Sequence, residues 1–194
     1  MQLIAEPLFE IGNHGWTHRN LRVLKGAILE QEILWTQTQY ARLQEEIVSR
    51  AHQHGIAHQE IAKIPPRPLI MRFPYGTCSP EALQHLIAHG LQAIQWDVVS
   101  GDPARGQTSD NIVATVLRRT QPGSIVIFHA NGRSYGTAAA LPRLIQALIA
   151  RGYTFLTVSE LLQGAEDVVA PAECYELHPG DNQRYDTLVR ERDE

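Results

Sequence analysis

Apolar positions recur at helical spacing across residues 26–51, where Ile28, Ile33, Leu34, Leu43, Ile47 and Val48 share one broad face, and Gly55 marks the stop. Residues 52–66 are polar, and Pro65, Pro66 and Pro68 punctuate a loop. The apolar run Leu69-Ile70-Met71 predicts a first strand ending at Arg72-Phe73-Pro74. Ser79 then caps a helix with Pro80 at its first position, running to about His89 and stopping at Gly90. Residues 91–99 predict a second strand, closed by Ser100-Gly101-Asp102-Pro103. Ser109 or Asp110 caps a third helix that ends before Pro122-Gly123. Residues 124–128 predict a third strand, closed by His129-Ala130-Asn131-Gly132, and residues 137–151 a helix ending at Gly152. Residues 153–157 predict a fourth strand, Ser159 caps a last short helix, and residues 164–194 are polar and irregular. At the other end, residues 1–5 read as the last turn of a helix broken at Pro7, as though the chain begins inside a fold.

Strands alternating with helices imply parallel βαβ units. The strands show little polar alternation, which suits a sheet buried on both faces. In such folds functional groups collect where strands end. Glu10-Ile11-Gly12-Asn13 runs into His14, the 69–71 strand into Arg72, the 91–99 strand carries Asp97 and leads to Asp102, and the 124–128 strand meets His129. That convergence of chemistry-bearing side chains on strand ends argues for an enzyme.

Composition narrows the field without changing this picture. A chain of 194 residues suits one domain of ordinary size, and 43% hydrophobic with 20% charged is globular. A net charge of -4 gives no basic footprint for nucleic acid. No apolar run is long enough to span a membrane, and no signal peptide is visible. Two cysteines, Cys78 and Cys174, exclude a disulfide framework and a structural zinc site built from cysteines alone. All seven aspartates lie at or after Asp97, so the first half of the chain has none.

The candidate residues each admit a plain alternative. His14 and His18, four apart in His-Gly-Trp-Thr-His, put both rings on one side if the segment makes a helical turn, which suits two ligands of one zinc. They can equally be unrelated surface histidines. His85 and His89 have the same spacing, mid-helix among ordinary residues. His129 suits a general acid or base, or a core histidine bonded to a backbone carbonyl. Arg72 leaving a buried strand calls for a carboxylate partner. Asp97 is expected to be paired if it points inward, and Asp102 can be only a turn residue before Pro103.

Taken together, these segments resemble the polysaccharide deacetylases of carbohydrate esterase family four, the NodB-homology domain. Gly12-Asn13-His14-Gly15-Trp16-Thr17-His18 resembles the family's zinc-binding His pair, with Gly15 where a Ser or Thr is usual. Arg72-Phe73-Pro74-Tyr75-Gly76 resembles the motif whose Arg orients the catalytic base. Residues 96–103 resemble an Asp-x-x-Asp-Trp motif in which Val99 replaces the first Asp and Pro103 the Trp. Ile127-Phe128-His129 resembles the motif of the catalytic His. The match runs in order from about Gly12 to Leu162. The family's first motif, Thr-Phe-Asp-Asp, which supplies the base and a third zinc ligand, is not found. Only Glu6 and Glu10 are acidic before His14, and neither sits in a matching context.

The resemblance implies an α/β fold: an incomplete, distorted (β/α) barrel of parallel strands over residues 1–163, lacking its N-terminal strands, with residues 164–194 as an irregular tail packed on it. It implies a divalent metal, zinc first, held by His14 and His18. Arg72 is expected to hold a base, with Pro74 and Tyr75 at the substrate, the Tyr75 N–H serving the oxyanion. His129 is expected to protonate the leaving group. Asp97, which shares a strand face with Val99, is expected to tune His129. The substrate implied is an N-acetylated or O-acetylated glycan. Lacking the Asp-Asp motif, this chain is expected to be a weak or inactive deacetylase, either a piece of a longer protein or a degenerate glycan- or partner-binding domain. An amidohydrolase of a small non-sugar amide is the alternative chemistry. A Cys78–Cys174 disulfide can pin the tail across the site rim, or both can be free thiols. Such a bond needs an oxidising compartment, which fits an exported protein acting on a cell wall.

Overall fold

A computed structural model describes residues 6–165 apart from Asn131 and Arg133. In chain order the elements are α1 (Gly26–Gln53), α2 (His58–Ile61), β1 (Ile70–Met71), a 3-10 turn (Pro74–Gly76), α3 (Pro80–Ala88), β2 (Gln92–Ala93), β3 (Val98–Val99), α4 (Ser109–Arg119), β4 (Val126–Ile127), α5 (Thr137–Ala150) and α6 (Val158–Gly164). The described residues divide into two compact units, residues 6–95 with 156–165, and residues 96–155.

In the first unit β1 and β2 pair in parallel, Ile70 opposite Gln92 and Met71 opposite Ala93. Asn13 extends the ladder on the other side of β1, donating to Ile70 O at 2.8 Å and accepting from Arg72 N at 2.9 Å. Leu29 and Ile33 of α1 and Ala82 and Leu86 of α3 bury against Met71 and Phe73. Ser79 caps α3 as expected, its Oγ accepting from Ala82 N at 3.1 Å with Pro80 leading the helix. Lys25 gives α1 no side-chain cap. Glu81 of α3 instead accepts from Gly26 N at 2.7 Å, so one helix start satisfies an amide of the other. Glu10 accepts from Ser159 N at 2.9 Å and from Ser159 Oγ, spending its carboxylate on the start of α6.

The second unit pairs β3 with β4 in parallel, Val98 opposite Val126 and Val99 opposite Ile127. Ile112 and Val116 of α4 pack on Ala140 and Leu144 of α5, and Val126 and Phe128 close over them.

Several elements differ from the sequence pattern. The single strand expected over residues 91–99 is broken into β2 and β3, which lie in separate sheets. Ile94 N continues the first ladder to Met71 O at 2.8 Å, whereas Asp97 N turns to Ile125 O at 3.2 Å. Residues 153–157 form no strand: Tyr153 N closes the end of α5 on Leu148 O at 3.0 Å and is unavailable to a ladder. The caps of α4 and α6 are Thr108 and Thr157, not Ser109 or Asp110 and Ser159. Each threonine keeps an extended backbone outside its helix and accepts from the third residue on, Asn111 N and Glu160 N. The four-residue α2 lies inside the polar 52–66 stretch, too short for periodicity to reveal. Among the described residues no helix is long and apolar enough to cross a membrane. Residues 1–5, Cys174 and the tail from residue 166 lie outside the described residues.

Candidate active site

In the first unit the site grows from the C-terminal edge of the Asn13–β1–β2 ladder, where His14 follows Asn13 and Arg72 follows Met71. Asn13 is buried and fixes the turn that leaves the strand. Its amide donates to Ile33 O of α1 at 2.9 Å, and its Oδ1 accepts from Gly15 N at 2.9 Å. Gly15 has φ +78, which the next step of the turn requires. Glu32, a buried carboxylate on α1, accepts from Thr17 N at 2.9 Å and from Thr17 Oγ1. The loop carrying both histidines is thus held to α1 from two sides.

This loop is not the helical turn that the spacing suggested. His18 has φ +59, and the rings of His14 and His18 meet edge to face with centroids 4.9 Å apart. A strand end and a strained turn bring together what a helix would have stacked. His14 Nδ1 lies 2.7 Å from Arg72 O. A carbonyl only accepts, so Nδ1 carries the proton and Nε2 is the nitrogen with the lone pair. A metal-binding imidazole is commonly set up in this way, its other N–H oriented by a backbone carbonyl. Two imidazoles so arranged fit a zinc-like cation. Among the described residues, no third His, Cys, Asp or Glu donor groups with this pair.

Arg72 is half-buried, and burial lowers its guanidinium from the usual value while leaving it a cation at neutral pH. Pro74 is fully buried beneath Gly15, so its ring supports the histidine loop. Tyr75 is 66% exposed at φ +61, and its ring stands edge-on to that of His18 at 5.0 Å. Cys78 is buried in the first unit's core, while its proposed partner Cys174 lies outside the described residues.

The second unit carries a polar cluster of its own, built on Asp102, which is fully buried. Its Oδ1 accepts from Ser100 Oγ at 3.0 Å and faces His129 Nδ1 at 2.8 Å. Its Oδ2 accepts from His129 N and Thr137 Oγ1, both at 2.8 Å. Burial alone would raise this carboxyl, but the His129 side-chain and backbone bonds and the Thr137 bond outweigh it and hold the pKa below the usual range. The carboxylate fixes the Nδ1–H tautomer of His129, which directs proton exchange to Nε2.

Asp97 does not reach His129, contrary to the sequence expectation. Its Oδ2 accepts from Ser124 Oγ at 2.7 Å and its Oδ1 from Ile125 N at 2.6 Å. The reason is the parallel register. Asp97 precedes β3 and Ser124-Ile125 precede β4, so they meet at the N-terminal edge of the pair, whereas Asp102 and His129 follow the strands at the other edge. The turn residue Asp102 is the partner. The signal in the sequence was its place as the second Asp of the Asp-x-x-Asp pattern. Glu32 was also missed: it is one of two acids between Leu29 and Ile33, and nothing in the sequence alone marks it rather than Glu30 as the buried one.

A family model described as polysaccharide deacetylase matches residues 1–94. The chain is 26% identical over 166 residues to a peptidoglycan-N-acetylglucosamine deacetylase of Bacillus cereus, covering 84% of this chain and 53% of that protein. It is 30% identical over 156 residues to a chitooligosaccharide deacetylase of Sinorhizobium fredii, covering 74% of this chain and 63% of that protein. Among solved structures, peptidoglycan deacetylase PdaC from Bacillus subtilis matches with a TM-score of 0.59 and 26% identity, over 80% of this chain and 64% of that one. The chain therefore spans between 53% and 63% of the length of these two curated relatives. The fold class is that of these deacetylases, a distorted (β/α) barrel, represented here by two short parallel pairs with their helices.

Proposed function

We propose that the chain, which is similar to the polysaccharide deacetylases, is a metal-dependent hydrolase of that family removing acetyl groups from N-acetylated glycans of the peptidoglycan or chitooligosaccharide kind. The observation that carries this reading is the apposition of His14 and His18 at a strand end, with His14 Nδ1 committed to Arg72 O.

His14 and His18 would hold the metal, zinc by preference. When bound, it supplies Lewis-acid polarisation of the acetyl carbonyl and of water. His129 carries the proton for the leaving amine at Nε2, and Asp102 stabilises the imidazolium that exists before that transfer. Arg72 keeps a permanent cation that could hold a carboxylate base. Tyr75, in its left-handed turn, offers a backbone N–H to the developing oxyanion. The 194 residues contain no aspartate before Asp97, and Glu10 is already bound to Ser159. With two imidazole ligands and no acidic side chain grouped with them among the described residues, the chain is proposed to turn over slowly, at a cost of roughly 10²- to 10⁴-fold for the base.

The test is release of free amine from an N-acetylated chitooligosaccharide, with zinc added or chelated. Slow, zinc-dependent release that vanishes in His14→Ala and His129→Ala is expected. Release that survives both substitutions, or no release above the zinc-only control, overturns the proposal. Export to an oxidising compartment and a Cys78–Cys174 bond belong to the same proposal. Thiol titration of the denatured, unreduced protein is expected to find no free thiol, and two free thiols would end that part.

A further inference from the structure

A second set of donor atoms lies on the first unit, on helices whose chemistry the proposed reaction does not use. Glu30 of α1, His85 of α3 and His89, the residue that caps the C-terminus of α3, each present one ligand atom, and these atoms all lie within 4.8 Å of one another. All three residues are half-buried. His89 Nε2 is 3.3 Å from Glu30 Oε1. About 3.3 Å is also the edge of a tetrahedron whose metal–ligand bonds are roughly 2.0–2.1 Å long. We propose that Glu30, His85 and His89 form a binding site for a divalent transition-metal ion that ties α1 to α3.

Three features support it. The first is spacing. His85 and His89 are one helical turn apart, and His89 N donates to His85 O at 3.1 Å, so the turn is intact and both imidazoles leave the same side of α3. The second is the donor set. Two imidazoles and one carboxylate suit zinc, cobalt or nickel, whereas magnesium and calcium require mostly oxygen ligands. The third is preorganisation. Leu29 precedes Glu30, Leu86 follows His85, and both leucines are buried in one cluster, so the two backbones are locked before any ion arrives. The Gly26–Glu81 bond pins the helix starts as well. Closing the site then requires only side-chain rotation.

The site is separate from the His14–His18 pair. Glu32, which holds Thr17 in the histidine loop, is two residues beyond Glu30 and about 200° around the helix axis. His89 Nε2 and Glu30 Oε1 are within hydrogen-bonding distance, with His85 beside them.

The experiment uses the full 194-residue chain carrying His14→Ala and His18→Ala, so that the other imidazole pair does not contribute. Zinc and, separately, nickel are titrated calorimetrically, and thermal unfolding is followed with and without each ion. Saturable binding of one ion per chain is expected, with a Tm raised by several degrees because the ion binds the folded state. Adding His85→Ala or His89→Ala is expected to weaken binding by about tenfold or more and remove the Tm shift, and Glu30→Gln to weaken it less. Binding that does not saturate, or a stoichiometry and Tm shift unchanged by His85→Ala and His89→Ala, overturns the proposal. In the chain with no substitutions, paramagnetic broadening of the His85 and His89 ring protons by nickel gives an independent readout. Their remaining sharp while other histidines broaden would also overturn it.

Discussion

Asp102 engages His129 through both carboxylate oxygens, Oδ1 at 2.8 Å from the ring Nδ1 and Oδ2 at 2.8 Å from the backbone N–H. The imidazole is therefore fixed in tautomer by one oxygen and in position by the other. Asp102 itself is held by Ser100 and Thr137, so the orientation of His129 traces to a buried anion with no access to water.

This predicts that Asp102 and Asp97 separate cleanly. Asp102→Asn removes an acceptor from Nδ1–H and is expected to lower the kcat of zinc-dependent deacetylation by about 10²-fold or more, with KM little changed. Asp97→Asn, at the opposite edge of the β3–β4 pair, is expected to leave kcat and the pH–rate profile as they were. Steady-state kinetics across pH checks both, and equal losses in the two variants would contradict the assignment of Asp102 as the positioning residue.

The same carboxylate predicts an acid-stability limb. The folded pKa of Asp102 lies below its unfolded value. Its contribution is therefore complete above the unfolded carboxylate range, near pH 4, and is lost as pH falls through the depressed folded value. Urea midpoints measured downward from pH 6 are expected to fall more steeply in the parent than in Asp102→Asn. Asp102→Ala, which strands the Ser100, His129 and Thr137 donors, is expected to cost about 2–4 kcal/mol at neutral pH.

These assignments show where sequence was informative and where it was not. The ends of β1 and β4 were legible, because apolar runs stop at Arg72 and His129 and parallel strands gather such ends on one edge. The partner of His129 was not, because choosing between Asp97 and Asp102 depends on register, a long-range property that local alternation does not encode. The His14–His18 apposition was found for the wrong reason: spacing suggested a helix, whereas a positive φ at His18 makes the contact. Glu32 was invisible because its partner, Thr17, is fifteen residues away and joined to it only by tertiary packing.

Gly136 predicts a structural coupling to the Asp102 centre. It has φ +77, and a Cβ there would sit 2.9 Å from Ser109 N and 3.2 Å from Thr108 C, both backbone atoms at the start of α4. Gly136→Ala must strain its own backbone and push α4 away, at roughly 2–4 kcal/mol. Thr137, whose hydroxyl holds Asp102, is the residue that follows Gly136 and begins α5, so strain at Gly136 bears directly on it. Urea unfolding is expected to show the loss, and hydrogen exchange to show faster exchange of the first amides of α4. A variant as stable as the parent would mean that the turn relaxes freely.

His18 and Tyr75 are the two non-glycine residues with positive φ among the described residues, at +59 and +61, and their rings are in contact. Left-handed backbone costs an ordinary L-residue about 1–2 kcal/mol. Tyr75 recovers little of this by burial, since its side chain is mostly exposed. Strain retained at an exposed position beside a histidine proposed to hold a metal is what a functional constraint produces. Tyr75→Gly removes the backbone penalty but adds about 0.5–1 kcal/mol of chain entropy, so stability is expected to hold or rise by up to about 1 kcal/mol. Tyr75→Val, β-branched and poorly suited to this conformation, is expected to fall below the parent. Both substitutions remove the ring that stands against His18, so zinc-dependent deacetylation is expected to drop in each. Urea midpoints and activity measured on the same two variants check the separation. If Gly and Val shift stability alike, the positive φ of Tyr75 stores no strain. If activity survives in both, the Tyr75 ring has no part in orienting His18.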